Sequence, residues 1–360
     1  DAKMQNHRLR RDLDVILELN EDLARRIPGM KGKDKGLAHR DLKNGWKDAR
    51  RIEQQMKDDL LDKADVICAT CIGSGHIVLD GRRFPRVLID EATQATEPAS
   101  LVPIVKGCRQ LVLVGDHKQL PPTVISTRAE EMGLNKSLFE RLIEMGVNST
   151  MLLEQYRMHP CIAEFPSRQS YDGLLKNGVT SENRIAPNGI IWPDFDNPVA
   201  FLPVEGGEIV SADGHSKANP TEAGWVLRII DSLLDGEDIS PDDIGVITPY
   251  NGQVRAIHDL MESSGGLENN GKWNGIEVRS VDGYQGREKE VIVFSAVRSN
   301  PEGNVGFLDD SRRLNVALTR AKRGLIVIGD SKTLRNQRDW DFWLTWAEEK
   351  NLIGWHLLQM

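Results

Sequence analysis

Seven short runs of β-branched and aliphatic residues constrain this chain more than any other feature. They are ADVICAT at 64–70, RVLID at 86–90, QLVLVGD at 110–116, IGVITPY at 244–250, IEVRSV at 276–281, EVIVFSAV at 290–297 and GLIVIGD at 324–330. Several are apolar almost throughout, which suits strands covered on both faces, and each is followed by turn or helix signals. That is the pattern of a buried parallel sheet with crossover helices, so the expected fold class is α/β. TMLLEQYR at 150–157 is a further strand-like run. Ser137 followed by LFERLIEMG predicts a capped helix over 137–146, and residues 222–234 predict another. Residues 176–220, rich in Gly, Pro and Asn and holding a strand-like VAFLPV, predict loops with a minor strand pair.

The first 62 residues have a different character. Ile16, Leu19, Leu23 and Ile27 recur at helical spacing until Pro28, and Leu42, Trp46, Ala49, Ile52, Met56 and Leu60 form a second stripe. GMKGKDKG at 29–36 predicts a loop, so the two helices should form an antiparallel hairpin with solvated charged faces. Trp340, Trp343 and Trp346 recur at i, i+3, i+6 and read as packing.

Net charge is −8, and it is uneven. Residues 1–62 carry 15 Lys and Arg against 13 Asp and Glu, net +2; the remainder carries 31 against 41, net −10. This argues against a protein that coats nucleic acid through a global positive field; any such contact must use a local groove and backbone donors. No apolar run has the ~18 residues of a membrane span. Four cysteines argue for a reducing compartment, cytoplasmic or nuclear. Cys68 and Cys71 form a CxxC without a second ligand pair at zinc spacing, so the bland reading is preferred. The chain begins with Asp, which suggests a fragment or a processed chain.

Three stretches carry chemistry. Asp90 and Glu91 follow the apolar VLI, where open parallel sheets bind ligands. One carboxylate there can hold Mg2+ and the other can polarise an attacking water. LVLVGDHKQLPP at 111–122 ends a second strand at the same sheet edge; the Gln119 amide, donor and acceptor at once, can report a terminal phosphate. In EQYRMHP at 154–160, Tyr156 offers a stacking face and Arg157 a planar fork for phosphate, while a buried Tyr and a salt-bridged Arg explain the string equally well. His159 before Pro160 reads as structural.

DEATQATEP, GDHKQLPP, EQYRMHP, SVDGYQGREKE and RRLNVALTRAK occur in the order and at the separations found in superfamily-one helicases of the up-frameshift type, the RNA helicases of nonsense-mediated decay. The resemblance spans residues 64–345. VRSNPEGNVGF at 297–307 is similar rather to the immunoglobulin-mu-binding and senataxin branches. The resemblance implies two RecA-like parallel-sheet lobes of the P-loop NTPase fold. Residues 1–62 would be a helical insertion of the first lobe, 63–150 its C-terminal part, and 151–360 the second lobe. It implies ATP and Mg2+, single-stranded RNA or DNA as partner, regulatory protein partners and a monomer.

Residue by residue, the resemblance makes Asp90 and Glu91 the magnesium and water-activating pair and Gln119 the γ-phosphate sensor. Tyr156 stacks on adenine, Arg157 contacts phosphate, and Gly286 and Glu288 lie by the ribose. Arg320 is the arginine finger. Thr70, Thr248, Pro249 and Tyr250, with Ser280 and Val281, line the single strand. Arg312, Arg313 and Lys322 remain open between surface ion pairs and ligands.

One part of the family pattern is missing. No GxxxxGK followed by Thr or Ser occurs in the 360 residues. The expected account is a chain that starts after the phosphate-binding loop, with the first lobe incomplete and little ATPase of its own. The alternative is an ATPase-dead module that only binds nucleic acid or protein.

Overall fold

The computed structural model describes residues 2–211, 214, 216–264 and 271–354. They form two compact units. One contains the chain up to Asp90 together with Ala95–Val114; the other contains Glu91–Gln94 and the chain from Gly115 onward.

In the first unit, helix α1 (Arg10–Arg26) and helix α2 (Gly32–Asp62) pair. Leu13, Ala49 and Met56 are buried in the seam, and Ile16, Leu17 and Ile52 pack on them. Arg8 lies 3.1 Å from Asp59, so the start of one helix meets the end of the other and the pair is antiparallel. The apolar stripe is only partly used, for Leu19 and Trp46 stay exposed. The loop expected at 29–36 is shorter than the composition suggests. A 3-10 turn at Ile27–Gly29, with Pro28 inside it, makes the break, and helix resumes at Gly32, where φ is +59°. Lys33 and Lys35 are good helix formers, and Asp34, a poor one in a helix interior, sits in the first turn, where the helix dipole favours an acid.

Strand β1 (Arg86–Ile89) runs parallel to β2 (Gln110–Leu113), Arg86 opposite Gln110, with α3 (Glu97–Ile104) between them in sequence. ADVICAT, expected as a strand, is irregular. Extended chain becomes a strand only when a neighbour takes its N–H and C=O groups, and no described strand pairs with this run.

In the second unit, α4 (Leu138–Glu144) is capped by Ser137, whose hydroxyl accepts the Glu140 N–H. Of TMLLEQYR only β3 (Glu154–Gln155) is strand, and β3 pairs with β4 (Lys176–Asn177) after α5 (Pro160–Ser170). Then come β5 (Val199–Pro203), α6 (Pro220–Asp235), β6 (Ile244–Thr248), α7 (Asn251–Ser264), β7 (Glu277–Ser280), β8 (Lys289–Ser295), α8 (Ser311–Leu318), β9 (Ala321–Gly329) and α9 (Arg338–Glu349). Five of these strands form one wholly parallel sheet, in the order β5-β9-β8-β6-β7. The minor strand pair of residues 176–220 is Ile209–Val210 with Lys217–Ala218, antiparallel, while VAFLPV supplies β5, an edge of the main sheet.

Successive residues of a strand point to opposite faces, and both faces here are covered. Val291, Val293, Ile326 and Ile328 pack with Val226, Ile229, Ile230 and Leu233 of α6. Ile292, Phe294, Leu325 and Val327 pack with α5, α8 and the three tryptophans of α9. Trp340 and Trp343 are essentially inaccessible and stand edge to face at 5.9 Å.

Candidate functional site

The site lies in the second unit, on residues that follow strand ends or close helices. Glu91 adopts φ +50° and opens the 3-10 turn Ala92–Gln94; Gln94 donates to its carboxylate at 2.7 Å. Asp90, its neighbour in sequence, follows β1 at the edge of the first unit.

Arg320 follows α8 and is 2% exposed. Its Nε donates to the Val316 carbonyl at 3.0 Å; one terminal nitrogen donates to the Thr319 hydroxyl at 3.0 Å and to Gln119 Oε1 at 2.9 Å. Burial, and then the charge of Arg157, push this guanidinium down to about 10, against attraction from Glu91, Tyr171 and Asp116. Glu91, Arg157, Gln119 and Arg320 are therefore brought together.

Gln119 is held from its other end as well. Its amide nitrogen donates to Asp116 at 2.8 Å, and the same carboxylate oxygen accepts the Tyr171 hydroxyl at 2.6 Å. Asn315, inside α8, donates to Tyr171 Oη at 2.9 Å and to the Lys118 carbonyl at 3.0 Å. Burial, and then Asp116, push the Tyr171 phenol up. Asp116, Tyr171 and Asn315 were not foreseen as site residues. Asp116 sits three residues before Gln119 in GDHKQ. Asn315 is a poor helix former between Leu314 and Val316, which marks a side chain with a task of its own.

Arg157 donates to Glu288 at 2.6 Å and to the Thr319 carbonyl at 3.0 Å. Burial would raise the Glu288 carboxyl, but Arg157 and then Lys322 hold it below its ordinary range. Gly286, just before, takes φ +74°, a turn that favours glycine. Tyr156 is 61% exposed and its hydroxyl donates to Glu154 at 2.6 Å. A Cβ on Gly178 would lie 2.3 Å from the Tyr156 ring, so glycine there lets chain and ring approach closely. His159 caps α5: its Nδ1 accepts the Cys161 N–H at 3.1 Å, and burial lowers its pKa to about 4.

The expected strand-lining residues divide. Thr70 is exposed and accepts the Gly73 N–H through its hydroxyl; Ser280 is half-buried and does the same for Gly283. Thr248, Pro249, Tyr250 and Val281 are buried. The reason is that β6 lies inside the sheet and its continuation runs beneath later chain: Tyr250 Oη accepts the Phe307 N–H at 3.1 Å. Arg312 pairs with Asp310, Arg313 with Asp282, and Lys322 with Glu288 and Glu290.

Two family models, each described as an AAA domain, match residues 134–332 and 19–127. A regulator of nonsense transcripts 1 homolog from Neurospora crassa is 45% identical over 305 residues, covering 84% of this chain and 28% of the relative. The Drosophila melanogaster homolog is 44% identical over 304 residues, covering 84% and 26%. The ATP-dependent helicase NAM7 of Saccharomyces cerevisiae is 46% identical over 305 residues, covering 84% and 31%. The chain thus spans between 26 and 31% of these relatives' lengths. It belongs to the AAA-domain family and, within it, to the superfamily-one helicases of the up-frameshift type.

Proposed function

We propose that this chain is part of the motor of an ATP-dependent helicase that moves 5′ to 3′ along single-stranded RNA or DNA. The observation that carries the reading is the grouping of Gln119, Arg157 and Arg320. A buried guanidinium, Arg320, with a second one, Arg157, near enough to add to the effect of burial on it, fits a polyanion such as a triphosphate. In that role Arg320 neutralises charge developing on the transferred phosphoryl group, and Gln119 senses the terminal phosphate. Tyr156 stacks on the base, while Glu288 and Gly286 lie by the ribose. Asp90 would hold Mg2+, whose chemistry is to neutralise phosphate charge, and Glu91 would orient the attacking water. Among the described residues no group of three or more His, Cys, Asp or Glu could hold a metal ion. Magnesium, commonly held by one or two carboxylates together with substrate phosphates, fits that donor set.

The test is strand-stimulated ATP hydrolysis by the full-length protein and its Arg320→Ala variant. The variant should lose roughly 10³-fold or more in turnover, as other arginine fingers do. Unchanged turnover removes the finger assignment. Because GxxxxGK is absent, the isolated chain should bind ATP weakly and hydrolyse almost none, since a phosphate loop supplies a nest of N–H groups and a lysine. Hydrolysis by this chain at the rate of an intact helicase refutes that. The same absence supports a second reading, an ATPase-dead binding module. A full-length protein that binds strand without any ATP hydrolysis favours it.

A further inference from the structure

Among the described residues of the second unit, one exposed aromatic ring stands on a heavily braced mount. Phe307 is 56% exposed, yet its backbone N–H is fixed on the hydroxyl of the buried Tyr250, and the two rings pack at 5.3 Å. The chain leading to it is braced along its length. Val297 takes φ +73°, costly for a β-branched residue, with its N–H held by the buried Glu222 carboxyl at 2.8 Å. That turn sends Arg298 inward to Glu208 at 2.7 Å and to Tyr250 Oη at 3.2 Å. The Asn300 amide donates to the Asn304 carbonyl and accepts the Asn304 N–H, both at 2.9 Å, and Asn304 Oδ1 accepts the Gly306 N–H at 2.9 Å. A Cβ on Gly306 would come within 2.2 Å of Arg298 and 2.4 Å of the Tyr250 hydroxyl, so only glycine fits there. Such bracing holds a ring rigidly in solvent, where burial alone would not keep it.

Its location points to a ligand. Tyr250, Asp282 and Arg298 follow the carboxyl ends of the adjacent parallel strands β6, β7 and β8, the edge where α/β sheets bind. Arg313 lies over the Phe307 ring at 5.3 Å and reaches Asp282 at 3.5 Å. A π face beside a guanidinium offers stacking to a base and charge to its phosphate.

We propose that Phe307, mounted on Tyr250, is a stacking platform for one unpaired base of a single strand, with Arg313 on the adjoining phosphate. This rests on the reading that the protein binds single-stranded nucleic acid, and it moves the contact from the buried Tyr250 to the ring above it. Every base has a π face, so the platform takes any sequence.

The test is fluorescence anisotropy of the 360-residue chain with a fluorescein-labelled 15-mer oligouridylate, and with the same oligonucleotide made abasic. Phe307→Ala should bind the uridylate roughly five- to a hundredfold more weakly, and Phe307→Trp should retain affinity. The abasic strand should bind both the wild type and Phe307→Ala equally, at the weaker level. An alanine variant within twofold of wild type on the uridylate overturns the platform and leaves strand binding standing. Equal weakening on both strands overturns it too, as does a normal affinity joined to a lower melting temperature, which marks a packing side chain. If the wild type binds neither strand, the underlying reading falls and the platform with it.

Discussion

Glu222 and His159 are both buried, and their protonation pulls stability in opposite directions. Glu222 accepts from Ser295 at 2.6 Å and from Val297; burial, helped by the charge of Asp330, raises its carboxyl to about 8. The folded state therefore holds a proton that the unfolded chain releases near its ordinary range. This contribution is full at acid pH and is lost as pH rises through about 8. Glu222→Gln should flatten the fall in melting temperature between pH 6 and 9, and an unchanged profile would show that the carboxyl is already ionised. His159 runs the other way, with Asp196 only partly opposing the effect of burial. The unfolded chain takes up its proton first, so stability falls as pH drops from the ordinary histidine range toward 4, by up to about 3 kcal/mol. His159→Asn should remove most of that acid limb in urea titrations at pH 7 and pH 4.5. A limb of undiminished size would assign it to other groups. The structural role of His159 was legible from its place before Pro160. Glu222 was invisible as a buried acid, because only the fold brings Ser295 and Val297 to it.

At the level of elements, β6 and the turn after β7 are fitted to one another through a single glycine. A Cβ on Gly245 would lie 1.8 Å from the Tyr284 hydroxyl and 2.8 Å from Ile292. Tyr284 is fully buried, and its hydroxyl has no hydrogen-bond partner. Gly245→Ala should cost about 1–3 kcal/mol by overpacking. Tyr284→Phe alone should be neutral or stabilising, since it deletes an unsatisfied polar atom. The double variant should recover part of the glycine cost, measurable as a coupling energy in a denaturation cycle. Additive effects would mean the two do not touch. Most elements could be read from the chain: the continuous apolar runs became β1, β2, β6, β7, β8 and β9. ADVICAT failed because pairing is supplied by a neighbour. VAFLPV was underrated because its Gly- and Pro-rich surroundings hid an edge strand of the main sheet.

Across the whole molecule, the second unit carries its own two-sided core, with buried clusters on both faces of a five-stranded sheet. A fragment of residues 115–360 should therefore fold alone, with one cooperative transition by circular dichroism and native near-ultraviolet signal from Trp340 and Trp343. A fragment with secondary structure but no near-ultraviolet signal would show that this core needs the first unit. Period and motif order were enough to determine the parallel α/β class and to nominate Asp90, Glu91, Gln119, Tyr156, Arg157, Glu288 and Arg320, because both are local properties of the chain. Only the tertiary structure decided that Arg320 meets Gln119 across 201 positions, that Asp116, Tyr171 and Asn315 brace that amide, and that Tyr250 is buried beneath Phe307. Burial and long-range hydrogen bonds depend on which surfaces the packed sheet covers, and no local window of residues contains that information.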